Sequence, residues 1–273
     1  MPSAQCPVPR NNSPDLGPCV PYALQPMRSL WALDTGPWPL SMRIVLVGHG
    51  KMNQAVAELA GARGHVIHSV ITGTENQAGA ALTAERLAGA EVAIEFTRPD
   101  QAAENLLALA RLGMPTITGT TGWLGRLPEV SLAVTAHRTA LLHSPNFSVG
   151  VQLFLRSARD LARRFAGRPE FEAFVVETHH AAKLDAPSGT AMRLQAALRE
   201  GDGARTFPVT SVRGGHVPGT HAVFYDAPHE TIRLEHVARG RQAFAAGALA
   251  AAEWLRGRNG VFTFDQMLFG EEP

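Results

Sequence analysis

Arg43-Ile-Val-Leu-Val-Gly-His-Gly-Lys-Met52 is the stretch whose reading decides the fold. Arg43 to Val47 is a short, nearly continuous apolar run, the pattern of a parallel strand covered on both faces. Gly48 and Gly50 follow at once, and a helical pattern then runs through Ala62 with Val56, Leu59 and Ala60 on one side. A glycine turn between a strand and a helix is the setting in which a dinucleotide pyrophosphate binds. The first glycine permits the turn, the second lets backbone N–H groups approach, and the helix N-terminus adds partial positive charge. The competing reading is a tight strand-to-helix turn with no ligand. The third motif position is Asn53 instead of a small residue, and Val70-Ile-Thr-Gly73 closes the second strand without a carboxylate.

Outward from this stretch, strand-like and helix-like segments alternate. Residues 65–72 and 91–96 read as strands, and Pro99 to Leu112 as a helix with proline in its first turn and Leu106, Leu107 and Ala110 as its buried stripe. Short strands are expected at 115–118, 131–135 and 140–143. This rhythm predicts a parallel sheet with right-handed crossovers. After Asn146 the rhythm changes. Residues 149–165 form a long helical pattern, 171–178 a strand, 191–200 a helix, and 207–213, 220–225 and 230–238 strands of a mixed or antiparallel sheet whose alternating apolar face is available for association. An Ala-rich helix is expected over 244–255.

Composition narrows the function. The chain has 273 residues, 25 basic and 24 acidic, with a net charge of +1, so nucleic acid and anionic membrane are not expected partners. No run approaches the roughly 20 apolar residues of a membrane span. Residues 1–41 hold 9 of the 19 prolines, both cysteines (Cys6 and Cys19), four charged residues and no histidine. That leader lacks the apolar core of about 7–15 residues of a secretory signal and is not Arg-rich like a mitochondrial presequence. It reads as a disordered tail or as the product of a start set too early, with Met42 the favoured natural start. Cys6 and Cys19 could pair, but a cysteine-free remainder fits a cytoplasmic protein.

The most informative segment is Glu177-Thr-His-His-Ala-Ala-Lys-Leu-Asp-Ala-Pro-Ser-Gly-Thr-Ala191. Adjacent histidines on a strand point to opposite faces, and no Cys/His cluster supplies further ligands, so no metal is expected. Lys183 with Ser188, Gly189 and Thr190 at a helix start makes a receptor for a carboxylate or phosphate. A histidine beside such a receptor suits proton transfer near neutral pH. The alternative is a helix cap, from Ser188 or Asp185, on a solvated loop.

This segment resembles the signature of the 4-hydroxy-tetrahydrodipicolinate (dihydrodipicolinate) reductase family. The likeness extends over residues 42–273 and includes Gly48–Met52, Glu95–Pro99, Gly119–Gly122, Ser144–Val151, Arg213–His221, and Arg241 with Phe244–Ala248. It implies an α/β protein: a Rossmann-type parallel sheet domain (42–148), an α+β substrate and tetramerisation domain (149–240), and a C-terminal helix and tail (241–273) returning to the first. It implies NADH or NADPH as cofactor, held by Gly48, His49, Gly50, Lys51 and Met52, by Phe96 and Thr97, by Gly119, Thr120 and Thr121, and by Ser144, Pro145, Asn146 and Phe147. His179 matches the acid/base. Lys183 matches a second proton donor or substrate-binding cation, and His180, Gly189 and Thr190 match substrate positions. The implied activity is reduction of a cyclic dicarboxylate in lysine and diaminopimelate biosynthesis, by a cytoplasmic homotetramer.

Three departures stand out. Asn53 replaces a small residue, Glu95 stands where relatives often have Asp, and Thr72-Gly73 lacks the acidic residue and arginine of relatives, which leaves cofactor preference open. Two rival readings exist. Another two-domain NAD(P)-dependent dehydrogenase, acting on an aldehyde or amino acid, would need a catalytic cysteine or a different Lys/Asp pair, and the absence of cysteine from residues 42–273 excludes the thioester route. A non-catalytic nucleotide-binding module would leave the His-His-Lys loop unexplained.

Overall fold

The computed structural model describes residues 41–270. The expectations for the leader, including pairing of Cys6 with Cys19, lie outside the described residues. In chain order the elements are β1 (Arg43–Val47), α1 (Lys51–Ala62), β2 (Val66–Ile71), β3 (Val92–Glu95), α2 (Pro99–Arg111), β4 (Thr116–Thr118), α3 (Leu127–Ala136), β5 (Ala140–His143), α4 (Val149–Phe165), β6 (Glu172–His179), α5 (Gly189–Gly201), β7 (Val209–Arg213), β8 (Thr220–Ala227), β9 (Glu230–Val237), α6 (Gln242–Leu255), β10 (Gly260–Thr263) and α7 (Phe264–Phe269).

The first sheet has the order β10-β5-β4-β3-β1-β2, with all neighbours parallel. Alternate residues of β1 face opposite sides. Ile44 and Leu46 pack with α1 and α6, whereas Val45 and Val47 pack with Leu82, Leu87 and Leu109. Burial on both sides is why this strand reads as a continuous apolar run. The order reverses between β3 and β1, and a crevice opens there beyond the strand ends, where open α/β sheets bind ligands. Helix α6 packs closely over this sheet. A Cβ on Gly247 would lie 1.8 Å from the Phe147 carbonyl oxygen.

The second sheet has the order β7-β6-β8-β9, with β6 and β7 parallel and the other pairs antiparallel. Its inner face carries Ala173, Val175, Val223 and Tyr225 against Phe154, Ala158 and Leu194. The outer face stacks Phe174 on Phe224, with centroids 4.8 Å apart. Serine caps start both flanking helices: Ser148 accepts from the Val151 N–H and Ser188 from the Ala191 N–H.

The strand expected at 131–135 is instead part of α3. The alternation of Val130, Leu132 and Val134 imitates a strand, but Leu132 is 73% exposed while Val130 and Val134, four apart, are buried. That spacing is helical, and the Pro128 and Glu129 of the first turn agree with it. The C-terminal stretch adds a strand that periodicity did not announce: β10 pairs with β5 at the edge of the first sheet.

Gly247→Ala is expected to lower the free energy of unfolding by about 1–3 kcal/mol, because the added methyl has no room without backbone movement. Urea denaturation followed by circular dichroism measures this, and an unchanged midpoint would refute the packing argument.

Candidate active site

The first set of candidate residues converges at the ends of β1, β3 and β4. A cavity of about 420 Å³ is lined by Gly50, Lys51, Met52, Phe96, Thr97, Pro99, Gly119, Thr120 and Thr121. Gly48 has φ +98°, and a Cβ there would sit 2.2 Å from the Phe96 carbonyl oxygen, so only glycine fits. Among the described residues, a Cβ on Gly50 would meet nothing within 4 Å, and no side chain caps α1. Open space above uncapped helix N–H groups fits an anionic pyrophosphate. Asn53 proves useful instead of disruptive. It is buried, and its Nδ2 donates to the carbonyls of Val47 (2.8 Å) and Gly48 (2.9 Å), fastening the turn from beneath.

Glu95 organises the opposite wall. It is fully buried, and its carboxyl accepts hydrogen bonds from the hydroxyls of Thr97 and Thr118. The Thr97 N–H donates to Thr120 Oγ1 (2.8 Å) and the Thr120 N–H to Thr118 Oγ1 (3.3 Å), so the β3 and β4 loops form one network. Burial raises the Glu95 carboxyl above its ordinary pKa. Among the later candidates, Ser144 Oγ donates to the Asn146 carbonyl (2.8 Å), and Phe147 is buried between Phe96 and Phe264. Pro145 is exposed in the same turn, and His49 is exposed beside the glycine loop.

The structure supplies a carboxylate that the sequence reading missed at the end of β2. Glu75 Oε1 accepts from the Thr72 N–H (2.8 Å) and hydroxyl (3.2 Å), and Oε2 pairs with Arg86 (3.0 Å). The Thr72 backbone bond, then Arg86, hold its pKa below the ordinary value. It escaped notice because it follows the strand by a turn instead of closing it. The Gly48 N–H donates to the Ile71 carbonyl (2.8 Å), which ties this strand end to the glycine loop.

The second set gathers on the inner face of the second sheet. Glu177 and His179, two apart on β6, point the same way. Registry adds Ser211 from β7 and His221 from β8 beside Glu177. The Glu177 side chain is fully buried. Oε1 accepts from the Ser188 N–H (3.0 Å), Ser211 Oγ (2.6 Å) and Arg213 (2.7 Å). Oε2 lies 2.8 Å from His179 Nδ1 and 3.8 Å from His221 Nε2. Burial alone would raise this carboxyl, but the Ser188, Ser211 and Arg213 bonds outweigh it and hold its pKa at about 2. Burial depresses His179, with Glu177 opposing, and depresses His221 to about 4.

His221 Nε2 lies 3.0 Å from Ser188 Oγ, which caps α5. The α5 start therefore has a fixed position, with Gly189 open and Thr190 half-buried at its first residues. Lys183 Nζ pairs with Asp185 (2.7 Å), so Asp185 engages the lysine instead of capping the helix. Half-buried His180 leaves the strand, its N–H donating to the Val217 carbonyl (2.8 Å). His179 and His180 are the adjacent histidine pair of the sequence. Among the described residues, Glu177, His179 and His221 instead form a group whose ligand atoms lie within 4.8 Å of one another. Arg213 already compensates this carboxylate, which disfavours a second cation at the same point. On β9, His236 pairs with His221, and a Cβ on Gly150 in the first turn of α4 would meet His236 Nε2 at 3.4 Å.

A parallel sheet with a pyrophosphate-type crevice, joined to a second sheet bearing a histidine, a lysine and a helix start, defines a two-part oxidoreductase that uses a nicotinamide dinucleotide. Family models for the N-terminus and C-terminus of dihydrodipicolinate reductase match residues 42–147 and 150–268, and the chain belongs to that family. The 4-hydroxy-tetrahydrodipicolinate reductase of Christiangramia forsetii is 32% identical over 239 residues, covering 83% of this chain and 98% of its own length. The reductase of the same name from Myxococcus xanthus is 39% identical over 191 residues, 63% of this chain and 69% of its own. A dipicolinate-bound dihydrodipicolinate reductase from Paenisporosarcina sp. TG-14 shares the fold at 20% identity, with TM-score 0.63 over 82% of this chain and 98% of that one. An amine dehydrogenase from Mycobacterium smegmatis shares it at 12% identity, with TM-score 0.52 over 84% and 96%.

Depression of His221 from 6.5 to about 4 has a stability consequence. Its contribution is complete above pH 6.5 and is lost as the pH falls through about 4, because the unfolded chain takes up the proton first. His221→Gln is expected to show a flatter dependence of melting temperature on pH across that window than the parent chain. Equal slopes in differential scanning fluorimetry would contradict this.

Proposed function

We propose that the chain reduces the dehydrated, cyclic imine form of 4-hydroxy-tetrahydrodipicolinate to tetrahydrodipicolinate, with His179 supplying the proton. The observation that carries this reading is the buried His179, the cation Lys183 and the α5 start gathered on one strand-to-helix connection. A nicotinamide, when bound, would supply the hydride that adds at C4 of the ring. Gly48, Gly50 and Lys51 would bind its pyrophosphate, and Phe96–Thr97, Gly119–Thr121 and Ser144–Phe147 would orient its nicotinamide side. Lys183 exchanges Asp185 for a substrate carboxylate, while Gly189 and Thr190 offer backbone N–H groups and a hydroxyl, and His180 a further contact. His179, or a water that it orients, protonates the ring after hydride addition. Dipicolinate bound to the relative from Paenisporosarcina supports a dicarboxylate. The reading assigns residues 42–148 to the nucleotide, 149–240 to substrate and association, and 241–273 to a return onto the first part.

The family supports a role in lysine and diaminopimelate biosynthesis, and a cytoplasmic homotetramer. Among the described residues no helix is long and apolar enough to cross a membrane. The outer face of the second sheet, with Phe174, Val176, Val212, Phe224 and Val237, supports association through that face. Glu75 supports NADH as the preferred cofactor. A carboxylate at the end of β2 accepts from ribose hydroxyls and repels a 2′-phosphate, and Arg86 is already engaged with it.

His179→Gln is expected to lower kcat about 10²–10⁴-fold with little change in KM, followed by NAD(P)H absorbance on enzymatically generated substrate. Near-full turnover would remove His179 from the reaction. Cofactor choice is tested by fluorescence titration of both nucleotides. Glu75→Ala should weaken NADH binding about tenfold or more and narrow or reverse the preference over NADPH. Tighter binding of NADPH by the parent chain would contradict the assignment.

A further inference from the structure

We propose that Glu177 is the positioning residue of this site: one carboxylate orients the His179 ring through one oxygen and fixes the substrate-receiving start of α5 through the other. This rests on the reading of His179 as proton donor and adds what makes it competent.

The inner face of β6 is apolar at Ala173 and Val175 and turns abruptly ionic at Glu177 and His179. Three strands converge at that point. Ser211 and Arg213 come from β7, His221 comes from β8, and His236 lies opposite His221 on β9. A carboxylate without solvent is tolerated only where its lone pairs are filled. The partners are divided between the two oxygens. Oε1 carries the frame: the Ser188 N–H, Ser211 Oγ and Arg213 Nη2. Arg213 Nη2 also donates to the Asp185 carbonyl (2.6 Å), so the same bonds hold the loop carrying Lys183 and Asp185. Oε2 is left for His179.

That second contact is close but not aligned. His179 Nδ1 and Glu177 Oε2 stand 2.8 Å apart, yet neither atom has a hydrogen-bond partner of good geometry, although both are buried. A small ring rotation completes the bond, as catalytic contacts often tighten only once substrate is in place. The carboxylate then keeps a proton on Nδ1, because it can only accept. Nε2 becomes the nitrogen that passes a proton to substrate. The space on that side is preserved by Gly219, where a Cβ would lie 3.0 Å from Nε2. Glu177 thus does for His179 what a buried carboxylate does for any histidine acid: it sets tautomer and direction and stabilises the charged ring. The charged or titratable groups facing His179 are Glu177 on its own strand, Arg213 on β7, His221 on β8, and Lys183 and Asp185 on the following loop. Among the described residues, Glu177 is the anion in direct contact with its ring nitrogen.

The test compares pH profiles of kcat at saturating substrate for the parent chain, Glu177→Gln, Glu177→Asp and His179→Gln. Glu177→Gln keeps an oxygen for the Ser188 N–H, so KM should change little. Its kcat should fall about 10²-fold, the lower end of a general acid–base contribution. Its alkaline limb should move to lower pH, because a neutral amide no longer holds the proton on His179. Glu177→Asp restores the charge and should bring the limb back toward the parent position. An unmoved limb in a folded Glu177→Gln protein, with His179→Gln inactive, would overturn this proposal and leave the proton-donor reading intact. Full turnover by His179→Gln would overturn the proton-donor reading instead. Nitrogen-15 NMR of histidine-labelled parent chain needs no Glu177 variant to fold. The neutral His179 ring, assigned against His179→Gln, should carry its proton on Nδ1, and a proton on Nε2 would refute the proposal.

Discussion

A carboxylate removed from water must be surrounded by donors, and the packing around Glu177 follows from that requirement. Its hydrogen bonds reach the start of α5 and the neighbouring strand β7, and its second oxygen stands against the histidine two residues along. Each partner brings a piece of backbone with it, so satisfying one side chain also sets the positions of Ser188, Asp185 and Arg213. The loop between β6 and α5 is therefore held by a polar centre, since it buries little apolar surface: Leu184 at its tip is 98% exposed.

The first sheet has a buried carboxyl of a different kind. Glu95 is surrounded by threonine hydroxyls, and among the described residues its hydrogen-bond partners are uncharged. Burial accordingly raises its pKa, while the donors and Arg213 around Glu177 depress that one to about 2. One acid ties the two loops of the glycine-loop crevice together in a low-charge setting. The other remains ionised and stabilises a charge on its neighbour. The same residue type serves two ends because its surroundings differ.

Much of the fold was legible beforehand. The β1 run, the glycine turn and the 149–165 helix needed only local pattern, because a strand buried on both faces and an amphipathic helix each leave a periodic trace. The 131–135 segment misled because Leu132 points to solvent, and exposure is not written in residue type. The edge strand β10 is four half-buried residues whose pairing is with β5, far away in sequence. The candidate residues His179, Lys183, Ser188 and Thr190 were visible because they share one short segment. Glu75, Ser211 and His221 were not assigned, since their relevance is to residues brought near by folding.

The chain's order of residues was enough to establish the class of sheet, the glycine crevice and the presence of a cationic loop, because those depend on spacing along a few turns of backbone. Asn53 and Glu75 show the limit. Read along the chain, one is a flaw in a motif and the other is an ordinary loop acid; in three dimensions one fastens the turn and the other folds back onto the end of β2. The division of labour between the two oxygens of Glu177 was decided only by tertiary structure. Strand register and helix docking determine which donors reach which lone pair, and no local pattern encodes that.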